Sequence, residues 1–353
     1  MATAARGAAL ILISAFLTPL TGPIGSAHAT QTAPPPIERP AYSWSQLVQQ
    51  VVETAPSASA AAEAGPAERA QQMMRCFKLQ DENYCLGLGF VDEVPSDDEI
   101  AAAAAEPVTP ADETFGGRTG ALSTADFVHE RAALNEEDRL DSELAEMRTA
   151  WQGREKAKAL RTDQVEVARE LPKKLALMGG YGTSQERGYW CGPATFQSID
   201  WANDNQKDSQ ASWAEDLGTT TAGTGIGAMV QQTNLKTTWD NYAGTYIVQS
   251  VGHWDTKKFF DVHRKHLGDG TGAPVIEHTQ LLKRYFPYLA YNYSGHYQVG
   301  RGYDTDQGTI TIFEVFNEKR FNSRGNDTAG SQEIPASALF NATLANQFKN
   351  IGL

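Results

Sequence analysis

Residues 188–199 read Gly188-Tyr189-Trp190-Cys191-Gly192-Pro193-Ala194-Thr195-Phe196-Gln197-Ser198-Ile199. Pro193 suits the first turn of a helix, and the apolar residues after it predict a helix that continues to residue 203. Cys191 then lies at the helix N-terminus, where the partial positive charge of the backbone favours thiolate over thiol. The alternative is a buried structural cysteine, but such residues are more often surrounded by branched apolar side chains than by aromatics, Gly and Pro. We therefore predict that Cys191 is a nucleophile.

Two further residues upstream and downstream of Cys191 suit the same chemistry. Gln185 lies six residues earlier, and its side-chain amide, together with the backbone N–H of Cys191, can stabilise an oxyanion. A thiolate nucleophile also needs a proton carrier. His296 is the strongest candidate, because it opens a predicted strand over residues 296–303, which gives its side chain a fixed direction. The other histidines after residue 29 better fit surface or capping positions: His129, His253, His263, His266 and His278.

The strand that follows His296 supplies the candidates for a third residue. Alternation places Glu314 on one face with Ile310, Ile312 and Phe316. A carboxylate on an apolar face needs a partner, and an imidazolium on the neighbouring strand suits it and would fix the ring tautomer. Asn317, at the end of the strand, is the competing candidate for this orienting role. A plain ion pair of Glu314 with Arg or Lys at an edge stays open.

Helices first and strands later predict an α+β fold for residues 176–353. The predicted helices cover residues 193–203, 210–217, 225–234 and 256–266. The predicted strands cover residues 274–277, 288–293, 296–303 and 309–316, and residues 304–308 form the turn of the last hairpin.

These motifs resemble the papain-fold cysteine peptidases of the double-glycine leader type (peptidase family C, number thirty-nine). The resemblance covers about residues 180–318 and is carried by Gln185, by residues 189–194, and by residues 295–297 followed by 302–303. It implies a papain-like fold with Cys191 as nucleophile, His296 as base and Gln185 as oxyanion donor. The family usually has Asp followed by Pro at the third position, whereas this chain has Glu314-Val315, so Glu314 and Asn317 both remain candidates.

The part of the chain before residue 176 predicts three segments. Residues 1–29 carry a single charge, a short apolar run and a small-x-small site, which together predict a secretory signal peptide. Residues 30–120 predict a low-complexity region that holds one short helix over 43–53, a mobile stretch over 92–110, and a small loop closed by a Cys76–Cys85 disulfide, because paired thiols oxidise outside the cytosol. Residues 121–175 predict a helical segment whose apolar stripe packs on the following domain, with a pro-region as the alternative. The stripe consists of Leu140, Leu144, Met147 and Trp151.

Composition limits the partners of this protein. The chain has 353 residues with 30 basic and 43 acidic side chains, a formal net charge of −13, which disfavours nucleic acid and anionic membrane surfaces as partners. No run after the signal peptide has the length of a membrane-spanning helix. We predict a secreted, extracellular cysteine peptidase that acts on a peptide or protein and uses no metal or organic cofactor. The alternatives are a cell-wall amidase or endopeptidase on the same fold, and a catalytically silent binding module. The oligomeric state stays open.

Overall fold

The structure, a computed structural model, describes residues 43–105, 115–163, 170–239, 245–270 and 272–353. All of these residues belong to one compact unit. The signal peptide predicted for residues 1–29 lies outside the described residues. The predicted boundaries after residues 120 and 175 stay predictions.

Strands are distributed over the whole of the described chain. In order they are β1 Cys76–Leu79, β2 Glu82–Cys85, β3 Gly89–Val91, β4 Phe115–Gly117, β5 Lys174–Ala176, β6 Val248–Ser250, β7 Val275–Gln280, β8 Asn292–Tyr293, β9 Gly295–Asp304, β10 Thr309–Glu314, β11 Gly330–Pro335 and β12 Asn350–Gly352.

Among the described residues, ten of these strands form one sheet in the order β1-β2-β3-β6-β12-β7-β9-β10-β11, with β5 also paired to β9. Its neighbours are antiparallel except β3 and β6, which are parallel and meet at Phe90 and Gln249. The strands β4 and β8 form a separate parallel pair. The sheet is therefore predominantly antiparallel.

Helices cover the sheet and fill the connections. They are α1 Trp44–Glu53, α2 Ala58–Glu63, α3 Pro66–Met73, α4 Asp97–Ala103, α5 Thr124–Ala133, α6 Glu136–Asp163, α7 Cys191–Asp204, α8 Gln210–Asp216, α9 Ile226–Lys236, α10 Thr256–Gly268, α11 Glu318–Phe321 and α12 Ala336–Ala345. The mixture of helices with a mainly antiparallel sheet confirms the predicted α+β fold class.

The helix α7 positions Cys191 against the central strand β9. Its residues Phe196 and Ile199 are fully buried in one apolar cluster with Tyr297 and Val299. The hydroxyl of Thr195 donates a hydrogen bond of 3.2 Å to the carbonyl of Tyr297. Because the packed face of α7 is held in this way, the N-terminus of the helix lies close to the beginning of β9.

The predicted disulfide is confirmed. Cys76 and Cys85 are directly paired across the antiparallel strands β1 and β2, and their sulfur atoms are bonded. The hairpin extends the main sheet through β3, so this N-terminal element is part of the same sheet as β9.

The apolar stripe of α6 packs mainly on residues that precede it in the chain. Its four residues lie in an apolar cluster with residues of α1 and of the β1–β2 hairpin. Within this cluster, Ile247 comes from the part of the chain after residue 176. The prediction that the stripe packs on the following domain is therefore wrong for most of its surface. The reason is that β1–β3 extend the sheet and place their own apolar face under α6.

Several predicted elements before residue 176 differ from the structure. The stretch 92–110, predicted to be mobile, contains α4, which begins with a capping box between Ser96 and Glu99 and buries Ile100; residues 106–114 lie outside the described part. The helix predicted at 43–53 is present, and Ser43 caps it. The helical stretch predicted from residue 123 is interrupted at Leu134, whose backbone is extended.

One predicted strand after residue 176 is wrong over most of its length. Residues 288–293 contain only the two-residue strand β8. The backbone N–H groups of Ala290 and Tyr291 donate to the carboxylate of Glu318 instead of to a neighbouring strand. The other predicted helices and strands of this region agree with the structure within a few residues, including the hairpin turn at 304–308.

Candidate active site

The candidate site is centred on Cys191, the first residue of α7. Its thiol is free and fully buried. Its backbone N–H points out of the helix end and donates to the carbonyl oxygen of Thr119 over 3.2 Å. The next residue, Gly192, lies against Thr224, since a Cβ added at 192 would lie 2.3 Å from the Thr224 hydroxyl oxygen. The close approach of Thr224 explains the need for glycine beside the cysteine.

Gln185 brings a second donor to the same place. Its backbone N–H donates to the carbonyl of Val315, directly after β10, over 2.7 Å. Its buried amide nitrogen, Nε2, donates to the carbonyls of Arg187 (2.8 Å) and Thr119 (3.3 Å). The Cys191 N–H and the Gln185 side chain therefore converge on one carbonyl oxygen, which is the arrangement of an oxyanion site.

His296 is fully buried near the beginning of β9 and is held on one side by Glu314 of β10. Its ring nitrogen Nε2 lies 2.6 Å from the Glu314 Oε1 oxygen. Its other nitrogen, Nδ1, has no nitrogen or oxygen partner within the described parts of the chain, and Cys191 is the neighbour with which the ring can exchange a proton. Glu314 thereby fixes the orientation of the ring and the nitrogen that faces the thiol.

The charge of His296 depends on its two neighbours. Burial alone disfavours the charged ring, but the Glu314 carboxylate and the Cys191 thiolate outweigh it and raise the pKa of His296 to about 10. Burial likewise opposes ionisation of Glu314, but His296 and several hydrogen bonds hold its pKa below the ordinary value. The ion pair with Glu314 therefore favours the imidazolium form of His296 at neutral pH.

Glu314 is fully satisfied by donors in the protein interior. Its Oε1 oxygen also accepts the backbone N–H of Phe316 at 2.7 Å. Its Oε2 oxygen accepts the amide of Gln298 at 2.7 Å and the hydroxyl of Tyr288 at 2.9 Å. These hydrogen bonds compensate for the burial of a carboxylate on an otherwise apolar face. Alternation along β10 predicts this position of Glu314.

Asn317, the competing candidate for the orienting role, has different partners. It caps the short helix α11, with its side-chain oxygen accepting the N–H of Lys319. Its amide nitrogen donates to Asp327 over 2.6 Å. The structure thus brings Cys191, Gln185, His296 and Glu314 together and places the Asn317 side chain in another contact; the catalytic roles themselves stay predictions.

Two histidines that the sequence predicts at surface or capping positions are fully buried, and a third, His266 in the last turn of α10, is half-buried with its Nε2 atom shielded from solvent. His263 contacts Glu277 at 3.0 Å across the packed α10 and β7, and both side chains are fully buried. His278 belongs to β7, where it contacts Asn350 at 2.8 Å. Both corrections have one cause, since β7 is a central strand that is covered on its faces. Two histidines are exposed, as predicted: His129 and His253.

Sequence reasoning missed three residues of the site. Gln298 lies two positions after His296 on the same face of β9, so alternation could have identified it. Tyr288 carries no comparable signal, because the segment before β8 is irregular. Thr119 lies 66 residues before Gln185 in the chain, in a region whose composition indicates no site. Within the residues described, no cluster of three His, Cys, Asp or Glu side chains suits a metal ion.

Comparison with known proteins supports a peptidase at this site. Residues 181–332 match the model of the Peptidase_C39 like family. No curated protein and no solved structure matches the chain. The predicted resemblance to papain-fold cysteine peptidases is confirmed over the matched residues, which include all the candidate site residues of the sequence, and the α+β architecture is consistent with that fold.

Proposed function

We propose that this protein is a cysteine peptidase that hydrolyses peptide bonds with a Cys191–His296 pair. The observation that carries the proposal is the His296 ring, buried between Glu314 at 2.6 Å and the thiol of Cys191. A histidine whose one nitrogen is bound to a carboxylate and whose other nitrogen is left for a thiol has the arrangement of a nucleophile–base pair. The family match over residues 181–332 supports the same class of enzyme.

The proposed reaction follows from these contacts. The Cys191 thiolate attacks the carbonyl carbon of the substrate, and the resulting oxyanion accepts hydrogen bonds from the Cys191 N–H and the Gln185 amide. The His296 imidazolium then protonates the leaving amine as the carbon–nitrogen bond breaks and the thioester remains. His296 next removes a proton from water, which attacks the thioester and releases the acid and the thiolate. Glu314 keeps the ring oriented and charged, and no step calls for a metal or organic cofactor.

We further propose that the enzyme is secreted and acts on an extracellular peptide or protein. The sequence pattern of residues 1–29 and the Cys76–Cys85 disulfide support this location, because disulfides persist in oxidising compartments. Within the parts of the chain that the structure describes, no helix has the length and apolar character needed to cross a membrane. We propose that the protein binds neither nucleic acid nor, in a stable manner, a membrane.

The test is alkylation of the mature protein by iodoacetamide across a pH series, with the modified cysteine located by mass spectrometry. We expect Cys191 to react well below the free-thiol value of about pH 8.5, and His296→Ala to abolish this low-pH reactivity. Hydrolysis of a peptide library by the natural chain and its loss in Cys191→Ala complete the test.

Two outcomes would replace the proposal. Hydrolysis of peptidoglycan fragments without hydrolysis of unfolded protein or peptides would assign a cell-wall amidase or endopeptidase instead. A Cys191 that reacts like an ordinary thiol in the natural chain and in His296→Ala would assign a binding module if a variant freed of the Thr119 contact also hydrolyses neither substrate class.

A further inference from the structure

A segment from the N-terminal part of the chain occupies the candidate active site. Residues 117–122, here called the cleft segment, pass the N-terminus of α7 as a non-helical stretch with a bend at Gly120. The carbonyl oxygen of Thr119 accepts hydrogen bonds from the Cys191 N–H (3.2 Å) and the Gln185 amide (3.3 Å). These are the two donors that the proposed mechanism needs for the oxyanion, so in this structure both are already engaged.

One side of the cleft segment is bound to the residues just before His296. The N–H of Thr119 donates to the Ser294 hydroxyl at 3.0 Å, and its own hydroxyl donates to the Gly295 carbonyl at 2.8 Å. The N–H of Ala121 also donates to Gly295, at 3.2 Å. The segment is thus attached directly beside the base of the proposed Cys–His pair.

The other side of the cleft segment is bound to Thr224, which precedes α9. The N–H of Thr224 donates to the Gly120 carbonyl at 2.8 Å, and the N–H of Leu122 donates to the Thr224 carbonyl at 2.9 Å. These two bonds pair Ala121 with Thr224 in parallel. Both walls therefore bind the segment, mainly through the main-chain hydrogen bonds that would also bind a peptide substrate.

The fit around Gly120 is too close for any side chain. Its φ is +115°, and an added Cβ would lie 2.2 Å from the carbonyl oxygen of Tyr189, the residue two before the nucleophile. From the opposite wall, a Cβ at Gly223 would lie 2.3 Å from the Gly120 carbonyl oxygen. The backbone of the segment is consequently in direct contact with both walls, and Thr119 and the Cys191 thiol are both fully buried.

We propose that the cleft segment is a built-in inhibitor that must leave the site before a peptide substrate can bind. The proposal rests on the proposed peptidase function, because it assigns the blocked donors to the oxyanion. The segment and a substrate carbonyl need the same two hydrogen-bond donors, so their binding is mutually exclusive. We expect the chain to remain uncut between Thr119 and Gly120, because the hydrogen bonds on both sides of this peptide bond keep the leaving amine in place.

The test compares Gly120→Ala with the natural full-length mature chain. The added methyl meets the Tyr189 carbonyl and is incompatible with the φ of this residue, so it displaces the segment. We expect the rate of Cys191 alkylation and the rate of peptide hydrolysis to rise about tenfold or more, the factor that follows from losing two or three net hydrogen bonds. The matched control is Gly308→Ala, which also has a positive φ of 63° but has no atom within 4 Å of the added Cβ; both rates should stay at the natural level.

A second variant and a peptide keep the test independent of one substitution. Ala121→Pro removes the N–H that binds Gly295 and should also raise both rates. A synthetic peptide with the sequence of residues 115–122, added to Gly120→Ala, should inhibit hydrolysis competitively and slow the alkylation of Cys191. Intact mass measurement of the natural chain should show no cleavage after Thr119.

The outcomes separate this proposal from the proposed function. If both segment variants are folded and Cys191 of the natural chain reacts as fast as theirs, the inhibitor proposal is overturned, whatever the hydrolytic activity. Cleavage of the natural chain between Thr119 and Gly120 would also overturn it and make the segment a substrate. If instead alkylation accelerates in the segment variants and the peptide reverses it, but no variant hydrolyses peptides, the segment covers the site as proposed and only the peptidase function fails.

Discussion

Replacing Glu314 by Gln removes the negative charge next to His296 and keeps the size of the side chain. All four partners of the carboxylate donate to it: His296, Phe316, Gln298 and Tyr288. Each carboxylate oxygen of Glu314 accepts from two of these donors. In Glu314→Gln, one oxygen is replaced by an amide nitrogen, whose N–H groups would face two donors. The Oε1 oxygen of Gln298 has no partner among the described residues, so that amide can turn over and accept. The Glu314→Gln protein should therefore fold, and the substitution isolates the effect of charge.

The size of the effect follows from the pKa of His296. Burial lowers this pKa, the Glu314 carboxylate is the largest opposing influence, and the result is a pKa of about 10. Without the carboxylate, the largest influence that opposes burial is lost, and the pKa of His296 falls. At about pH 7.5, nearly every ring carries a proton in the natural chain, and a smaller fraction does so in the variant. We expect kcat/KM to fall at least about tenfold, and by more if the ring also loses its orientation.

The assay is kcat/KM for a peptide substrate across a pH series, measured on Glu314→Gln and on its parent. Both proteins carry Gly120→Ala, so that the cleft segment is equally displaced. Circular dichroism and a thermal melt serve as the control that the variant is folded. A kcat/KM that stays within about twofold of the parent at every pH would refute the assignment of Glu314 as the residue that charges and orients His296.

The same pair predicts how stability changes with pH. The folded pKa of His296, about 10, lies above its unfolded value of 6.5, so its stabilisation is fully present below pH 6.5 and is lost as the pH rises through about 10. The pKa of Glu314 is lowered, so its stabilisation is present above its ordinary value and is lost as the pH falls. Urea denaturation at a series of pH values should show that the alkaline loss is absent in Glu314→Gln.

Three further predictions concern other parts of the molecule. Gln185→Ala should lower kcat by about 10²–10³ with little change in KM, which is the effect of losing one oxyanion donor. A KM that rises by the same factor at an unchanged kcat would instead assign Gln185 to substrate binding. Burial lowers the folded pKa of His266 and of His278 to about 4, so the unfolded chain binds more protons than the folded chain between these values. The free energy of unfolding should therefore decrease as the pH falls from about 6.5 to 4. Urea denaturation of the natural chain and of His278→Gln would check this, since the variant should show a smaller decrease. Reduction of the Cys76–Cys85 disulfide should lower the free energy of unfolding by about 2–3 kcal/mol, from the short loop that it closes; Cys76→Ala with Cys85→Ala should match the reduced protein in the same urea titration.

Several parts of the fold and of the candidate site could be predicted from short patterns. The beginning of α7, the alternation along β10 and the turn between β9 and β10 depend on residues within one or two turns of one another. The prediction for residues 288–293 failed because aromatic content suggested a strand where Glu318, far along the chain, binds the backbone N–H groups. The helix α4 departs from the predicted mobile stretch because a capping box and one buried isoleucine hold this alanine-rich segment in place.

The sequence by itself determined that Cys191 lies at the beginning of a helix and His296 near the beginning of a strand, because helix and strand periods set the direction of these side chains. Only the tertiary structure decided that Glu314 and not Asn317 contacts the His296 ring, since this contact depends on how the strands β9 and β10 pair. It also decided that Thr119 reaches the oxyanion donors. That contact depends on the packing of segments far apart in the chain, which no local pattern encodes.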